Sequence, residues 1–246
     1  MTEKDRQDNQ TLLDFWDKAF ALSEEDKAEA ASWDPESWKE LAPVEKLFRA
    51  AASLGQKKKV LDYGCGNGWA AIIAAKSGCP NVTAADAAPG AVRAAQFTAS
   101  LCGLADQIKI HAVSPDWLKN IPAETYDGFI CSNVLDVIPP ETAEEILREA
   151  ARIVTDDASV IIGLNYWLSP DTAAARGLEL QDGSRLYVDG VLRLVSRTDE
   201  EWIKIFSPFF IVERLEYFAW PGEETETRRL FRLKKYSKDD TEGGIR

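Results

Sequence analysis

The stretch Val60-Leu61-Asp62-Tyr63-Gly64-Cys65-Gly66-Asn67-Gly68 is an apolar run that enters a glycine-rich turn, and from Trp69 a run of small and apolar residues follows at helical length. Strand, glycine turn and helix in that order are the means by which an open α/β sheet meets a nucleoside ligand, beyond the carboxyl ends of its strands. Glycine at these positions admits positive φ and lets the backbone approach a ligand closely. The spacing is GxGxG, and the third glycine of a dinucleotide fingerprint would fall on Trp69. NAD is therefore the second choice of ligand. Asp62, awkward beside a pyrophosphate, suits a ligand that carries an ammonium group, which a carboxylate holds by charge-assisted hydrogen bonds.

Working outward, short apolar runs recur at 60–62, 82–86, 108–113, 128–131 and 159–164, and helical segments fill the gaps at 69–76, 89–102 and 140–154. Gly78 and Gly103 stop the first two helices, and Pro89 and Pro140 open the second and third. This alternation predicts five parallel strands joined by right-handed crossovers, with helices on both faces.

Before this core, Leu12, Leu13, Phe15, Trp16, Ala19 and Phe20 repeat at helical spacing, and a second helix runs from Pro43 toward Gly55. A tryptophan-rich turn, 32–38, separates them. After the core, Asp189-Gly190 sits between two alternating segments and marks a hairpin over 185–195. Thr198-Asp199-Glu200-Glu201 is a capping box for a helix to about Phe206. Two strand-like segments, 209–218 and 228–233, close the sheet edge. The expected organisation is one domain over 1–246: a helical extension or lid at 1–56, a ligand-binding βα core at 57–168, an insertion at 169–207, closing strands at 208–236 and a polar tail at 237–246.

Of the 246 residues 45% are hydrophobic and 28% charged, which is ordinary globular usage. No run approaches the ~18 apolar residues of a membrane span, and the start MTEKDRQDNQ has no signal-peptide pattern, so a cytoplasmic protein is expected. Cys65, Cys79, Cys102 and Cys131 form no CxxC pair and read as buried reduced thiols, with no structural metal. A net charge of -12 opposes binding to a nucleic-acid backbone, and the one short basic run, Lys57-Lys58-Lys59, reads as a solvated strand edge. A small-molecule partner fits better. His111, the single histidine, lies within the third strand and is expected to be a core residue.

The first motif, Asp62-Tyr63-Gly64-Cys65-Gly66-Asn67-Gly68, resembles the acidic-x-Gly-x-Gly-x-Gly motif of the Rossmann-like (class I) S-adenosylmethionine-dependent methyltransferases. The resemblance covers about 60–164 and implies a seven-stranded, mostly parallel, doubly wound sheet whose last strand is antiparallel. It implies that Asp62, Tyr63, Gly64, Cys65 and Gly66 line the methionyl end of the cofactor. Asp86, with Ala87 after it, would hold the ribose hydroxyls. Either Ser114 or Asp116 would meet the adenine, with Trp117 against the base, and Ser132 and Asn133 would approach the sulfonium. Asp62→Ala is expected to lose the cofactor and keep the fold.

Methyl transfer is an in-line displacement, so a base is needed only if the acceptor must lose a proton, and no catalytic residue is assigned. Asp136, Tyr166, Arg185 and Tyr187, with Asn165 and Trp167, are candidates for the acceptor side. For Asp136 the other reading is a helix cap or turn, and for the rest lid packing. S-adenosylmethionine, leaving S-adenosylhomocysteine, is the expected cofactor. The competing readings are an NAD-dependent oxidoreductase and a non-catalytic S-adenosylmethionine-binding protein.

Overall fold

The computed structural model describes residues 2–30, 32–114 and 116–236, so the tail 237–246 lies outside the described residues. Three helices precede the sheet: α1 (Glu3–Ala19), α2 (Glu24–Ala30) and α3 (Glu45–Ser53). The tryptophan-rich turn is a 3-10 helix, Pro35–Leu41, begun by Asp34, whose carboxylate accepts the Glu36 N–H. The core then alternates through β1 (Val60–Tyr63), α4 (Trp69–Lys76), β2 (Val82–Asp86), α5 (Pro89–Leu101), β3 (Ile108–Ala112), β4 (Tyr126–Ser132), α6 (Pro140–Ile153) and β5 (Val154–Leu164). There follow α7 (Pro170–Ala175), β6 (Leu180–Gln181), β7 (Arg185–Val188), β8 (Val191–Val195), α8 (Asp199–Phe206), β9 (Phe210–Phe218) and β10 (Arg228–Lys235).

The main sheet has the order β3-β2-β1-β4-β5-β10-β9. Its first five strands are parallel, and β10 runs antiparallel to both β5 and β9. This is the expected doubly wound, seven-stranded arrangement. Period-two alternation sends Val60, Ile130 and Ile161 toward α3 and α4, and Leu61, Phe129 and Ile162 toward α6 and α8. Each face thus closes its own apolar core, with Leu47, Leu54 and Ile73 on one side and Leu147, Trp202 and Phe206 on the other.

Three local expectations are corrected. β5 begins at Val154, ahead of the expected start at residue 159. The hairpin acquires a third strand, β6, so β6-β7-β8 form a small separate sheet. His111 is exposed, because β3 is an edge strand, and its ring lies 5.9 Å from that of Trp117. The hairpin turn itself is as read, with Asp189 and Gly190 both at positive φ (52° and 76°).

Candidate ligand site at the carboxyl ends of the strands

Strand alternation decides what Asp62 does. It shares a face with Val60, so its carboxylate points at the start of α4, whose N-cap residue, Gly68, has no side chain to offer. Asp62 Oδ2 accepts the Ala71 N–H at 3.0 Å in its place. Burial pushes the Asp62 carboxyl up to about 7, the hydrogen bond from Ala71 opposes this, and the nearby Asp86 charge adds to it. An open ammonium partner was expected here; Asp62 is instead a buried brace beneath the turn. Asp62→Ala therefore removes a helix cap, which adds a cost in stability to the expected loss of the cofactor.

Above this brace, the Gly64 and Cys65 N–H groups both donate to Ala85 O on β2, at 2.8 and 3.1 Å. Gly64 has φ +71°, and a Cβ there would stand 2.2 Å from Val134 Cγ2, so the exit of β4 is pressed onto the turn. Gly66 has φ +54°, and its N–H donates to Asp86 Oδ2 at 3.0 Å. Asp86 Oδ1 accepts the Ala88 N–H at 2.9 Å. The first turn and the end of β2 are thus one hydrogen-bonded cradle, and each Asp86 oxygen keeps a second lone pair for a ligand hydroxyl. The Tyr63 and Cys65 side chains are buried, and burial raises both their pKa values, so at these two positions the turn presents backbone. Ala87 is exposed beside the cradle.

On the β3 side, Trp117 is half-buried, whereas Asp116 is exposed and accepts from Lys119 Nζ at 2.8 Å. Its side chain is thereby directed along the surface. Ser114 is also exposed, and its carbonyl accepts the Trp117 N–H. On the β4 side, Ser132 Oγ donates to Asn133 Oδ1 at 3.2 Å. Asn133 holds a left-handed backbone (φ +57°), and its Nδ2 donates to Asn165 Oδ1 at 3.1 Å.

Asn165, just past β5, is a hub. Its N–H donates to Asp136 Oδ2 at 2.6 Å, its carbonyl accepts Arg229 Nε at 2.8 Å, and its side-chain oxygen also accepts from Arg228. Asp136 is fully buried, and burial pushes its carboxyl up to about 6 despite the nearby Arg229 charge. Among the described residues, Asp136 Oδ1 and Arg229 Nη2 have no hydrogen-bond partner. Asp136 is thus a core group and lies outside the open acceptor side. Arg185 and Tyr187 are likewise reassigned. Tyr187 donates to Asp8 of α1 at 2.7 Å, and Arg185 lies 3.6 Å from Asp5 and 3.9 Å from Asp8. They hold the extension to the hairpin.

Tyr166 remains at an opening. With Trp167, which is 51% exposed, and with Thr172, Arg176 and Glu223 it lines a cleft of about 410 Å³ between the β5 exit and the β9–β10 connection. Arg228 forms part of its surroundings, 5.7 Å from the Tyr166 ring and paired with Glu223 at 2.7 Å. Sequence reading missed Arg228, Arg229, Asp17 and Phe20. The available signal for the arginines was a double charge opening an otherwise apolar strand run. Among the described residues no His/Cys/Asp/Glu group could hold a metal ion.

Residues 60–157 match the family described as a methyltransferase domain. This segment is a Rossmann-like (class I) S-adenosylmethionine-dependent methyltransferase domain. Over 98 residues the chain is 34% identical to the ribosomal protein L11 methyltransferase of Aliivibrio fischeri, a match that covers 40% of this chain and 29% of that protein. It is 30% identical over 103 residues to the ubiquinone biosynthesis O-methyltransferase of Neisseria meningitidis, covering 42% of each. The chain thus spans less than half the length of these relatives. The methyltransferase fold extends further than the sequence match. Magnesium protoporphyrin IX methyltransferase from Synechocystis, with bound S-adenosylhomocysteine, superposes with TM-score 0.57 at 18% identity, covering 78% of this chain and 82% of that one. The N-methyltransferase NodS from Bradyrhizobium japonicum superposes with TM-score 0.56 at 17% identity, covering 78% and 85%.

Proposed function

We propose that this chain binds S-adenosylmethionine in the cradle between the β1 turn and the end of β2, and transfers its methyl group to a small-molecule acceptor by in-line displacement. The observation that carries this reading is the Gly66 N–H to Asp86 bond at 3.0 Å, which builds a left-handed glycine turn and a ribose-binding carboxylate into one unit on a methyltransferase domain. The residues fit the cofactor. Gly64 and Gly66, both at positive φ, make a turn of bare backbone, and Asp86 offers two acceptor oxygens to two vicinal hydroxyls.

In this reading the turn backbone from Asp62 to Gly66 meets the methionyl end, Asp62 acting through the turn it braces. Asp86 and Ala87 meet the ribose. Ser114 and Trp117 flank the adenine, and Ser132 and Asn133 lie under the sulfonium, held by Asn165. The cofactor, when bound, supplies an electrophilic methyl group. The chain's task is to orient the acceptor and exclude water.

The cleft beside Tyr166 and Trp167 falls within the roughly 300–1,000 Å³ range of small-molecule sites and opens at the same strand ends as the cradle. The net charge of -12 disfavours a nucleic-acid acceptor. Among the described residues no helix is long and apolar enough to cross a membrane. Four buried cysteines without a disulfide support a reducing, cytoplasmic setting.

Calorimetric titration with S-adenosylhomocysteine, and with NAD under the same conditions, tests the reading. Saturable binding of the first alone is expected; binding of NAD alone overturns it. Cofactor binding without turnover across a broad screen of small acceptors would identify a cofactor-binding protein in place of an enzyme.

A further inference from the structure

α1 reaches the glycine turn of the cradle and the start of α5, the helix that follows the Asp86 loop. At its carboxyl end the Phe20 ring stands 3.0 Å from the position a Cβ on Gly66 would occupy, so the ring covers the one turn residue that is bonded to Asp86. Trp16 backs this ring, with centroids 5.7 Å apart.

One helical turn earlier, Asp17 Oδ1 accepts the Gly90 N–H at 2.5 Å and lies 3.3 Å from Arg93. Gly90 is in the first turn of α5, whose own N-cap residue, Ala88, offers no side-chain cap. The cap is supplied from the extension, directly after the Asp86 loop, where a carboxylate also complements the helix dipole. A Cβ on Gly90 would stand 2.2 Å from the Asp17 carbonyl oxygen, so the approach is close along the backbone as well. The opposite end of α1 is tied to the hairpin by Asp5 and Asp8, and Arg193 lies 4.2 Å over Phe15.

We propose that Phe20 is a cofactor-contact residue supplied by the N-terminal extension, and that Asp17, acting through the start of α5, is the positioning residue that holds Phe20 over the glycine turn. This rests on the reading of the cradle as the S-adenosylmethionine site. Phe20 then forms the outer wall of that site over the glycine turn, and the cofactor enters or leaves only when the last turn of α1 shifts. The extension is part of the ligand site, and its latch sits on the ribose side.

The test uses the full chain with S-adenosylhomocysteine as probe, reading affinity by calorimetry, dissociation by stopped-flow, and folding by circular dichroism and urea midpoint. Phe20→Ala is expected to weaken binding by about tenfold or more, and Phe20→Leu, which keeps an apolar wall, to stay within about threefold. Asp17→Ala is expected to speed dissociation about fivefold or more, and Asp17→Asn, whose amide oxygen still accepts from Gly90, to recover most of that loss. Should Phe20→Ala fail to fold, the Phe20→Leu and Asp17 variants carry the decision. Phe20→Ala binding within twofold of the unaltered chain, or Asp17→Ala losing stability with an unchanged dissociation rate, overturns the inference. Failure of the unaltered chain to bind the probe overturns the cofactor reading itself.

Discussion

The Asp62 carboxylate and the Ala71 amide are joined at 3.0 Å from β1 to α4, so the residue that opens the glycine motif also caps the helix that follows it. Turn and helix are therefore fixed by one buried group. Asp62→Ala should cost about 1–2 kcal/mol of stability as a lost cap, and should weaken S-adenosylhomocysteine binding as well. Asp62→Asn keeps an acceptor for Ala71 and should retain most of the stability. Urea denaturation with calorimetry measures both; an unchanged midpoint in Asp62→Ala would show that the cap contributes nothing.

Two buried carboxyls with strongly raised values, Asp62 and Asp136, set a pH trend. Asp62 and Asp136 titrate at about 7 and about 6 in the fold, against an ordinary 3.8. Above 3.8 the unfolded chain has released these protons and the folded chain still holds them, so their contribution is full at low pH and is lost as pH rises through 6 to 7. Carboxyls with lowered values, such as Asp5 and Asp157, act in the opposite sense but at more acid pH. The urea midpoint should fall from about pH 4 to about pH 7 and level off above that, and should fall by less in Asp62→Asn. Equal slopes in the two proteins would refute the assignment.

Gly64 and Gly103 both have positive φ, at +71° and +69°, yet only Gly64 has a neighbour, Val134, where a Cβ would go. Gly103→Ala should cost about 1 kcal/mol from backbone strain alone and leave ligand affinity unchanged. Gly64→Ala should cost more, because the β4 exit must move, and should abolish measurable S-adenosylhomocysteine binding. Similar losses of stability and intact binding in both variants would contradict the close packing of turn and β4.

Asp86→Ala removes the acceptor of two backbone donors, Gly66 and Ala88, as well as the proposed ribose ligand. Affinity for S-adenosylhomocysteine should drop at least about tenfold, with a smaller drop in Asp86→Asn, which keeps one oxygen. Affinity retained in both variants would move the ribose elsewhere.

Arg229 is 1% exposed and lies beside the buried Asp136, each group with one unpartnered polar atom. Arg229→Met should lower the urea midpoint, since it removes the donor to the Asn165 and Arg197 carbonyls and the ion-pair partner of Asp199 at 3.3 Å, and takes a positive charge from the neighbourhood of Asp136. The double variant Arg229→Met, Asp136→Asn should be less destabilised than the sum of the two single changes. A strictly additive cycle, read from urea midpoints, would deny the coupling.

Much of the parallel core is legible in the chain because its punctuation is local. Gly78, Pro89, Gly103 and Pro140 bound helices by backbone rules alone, and Asp-Gly at 189–190 specifies its turn. The glycine turn and Asp86 are legible for the same reason. What sequence concealed depends on contacts between distant segments. Asp5, Asp8 and Asp17 look like ordinary solvated acids on a helix, and only folding brings Tyr187 and Gly90 to them. Asp136 looks like a loop residue until Asn165 and Arg229 close over it. His111 was misjudged because strand order, which puts β3 at the edge, is not written in periodicity.

The position of β10 inside the sheet has a consequence for how the chain is made. Among the described residues it follows every other strand in sequence, yet it alone joins β5 to β9. During synthesis the five parallel strands emerge first, and until residues 228–235 are released the rim of β5 is an unsatisfied row of amides, with Ile161 and Ile162 in it. A nascent or prematurely terminated chain would carry a sticky, strand-pairing edge, and folding yield would depend on how promptly that last segment arrives.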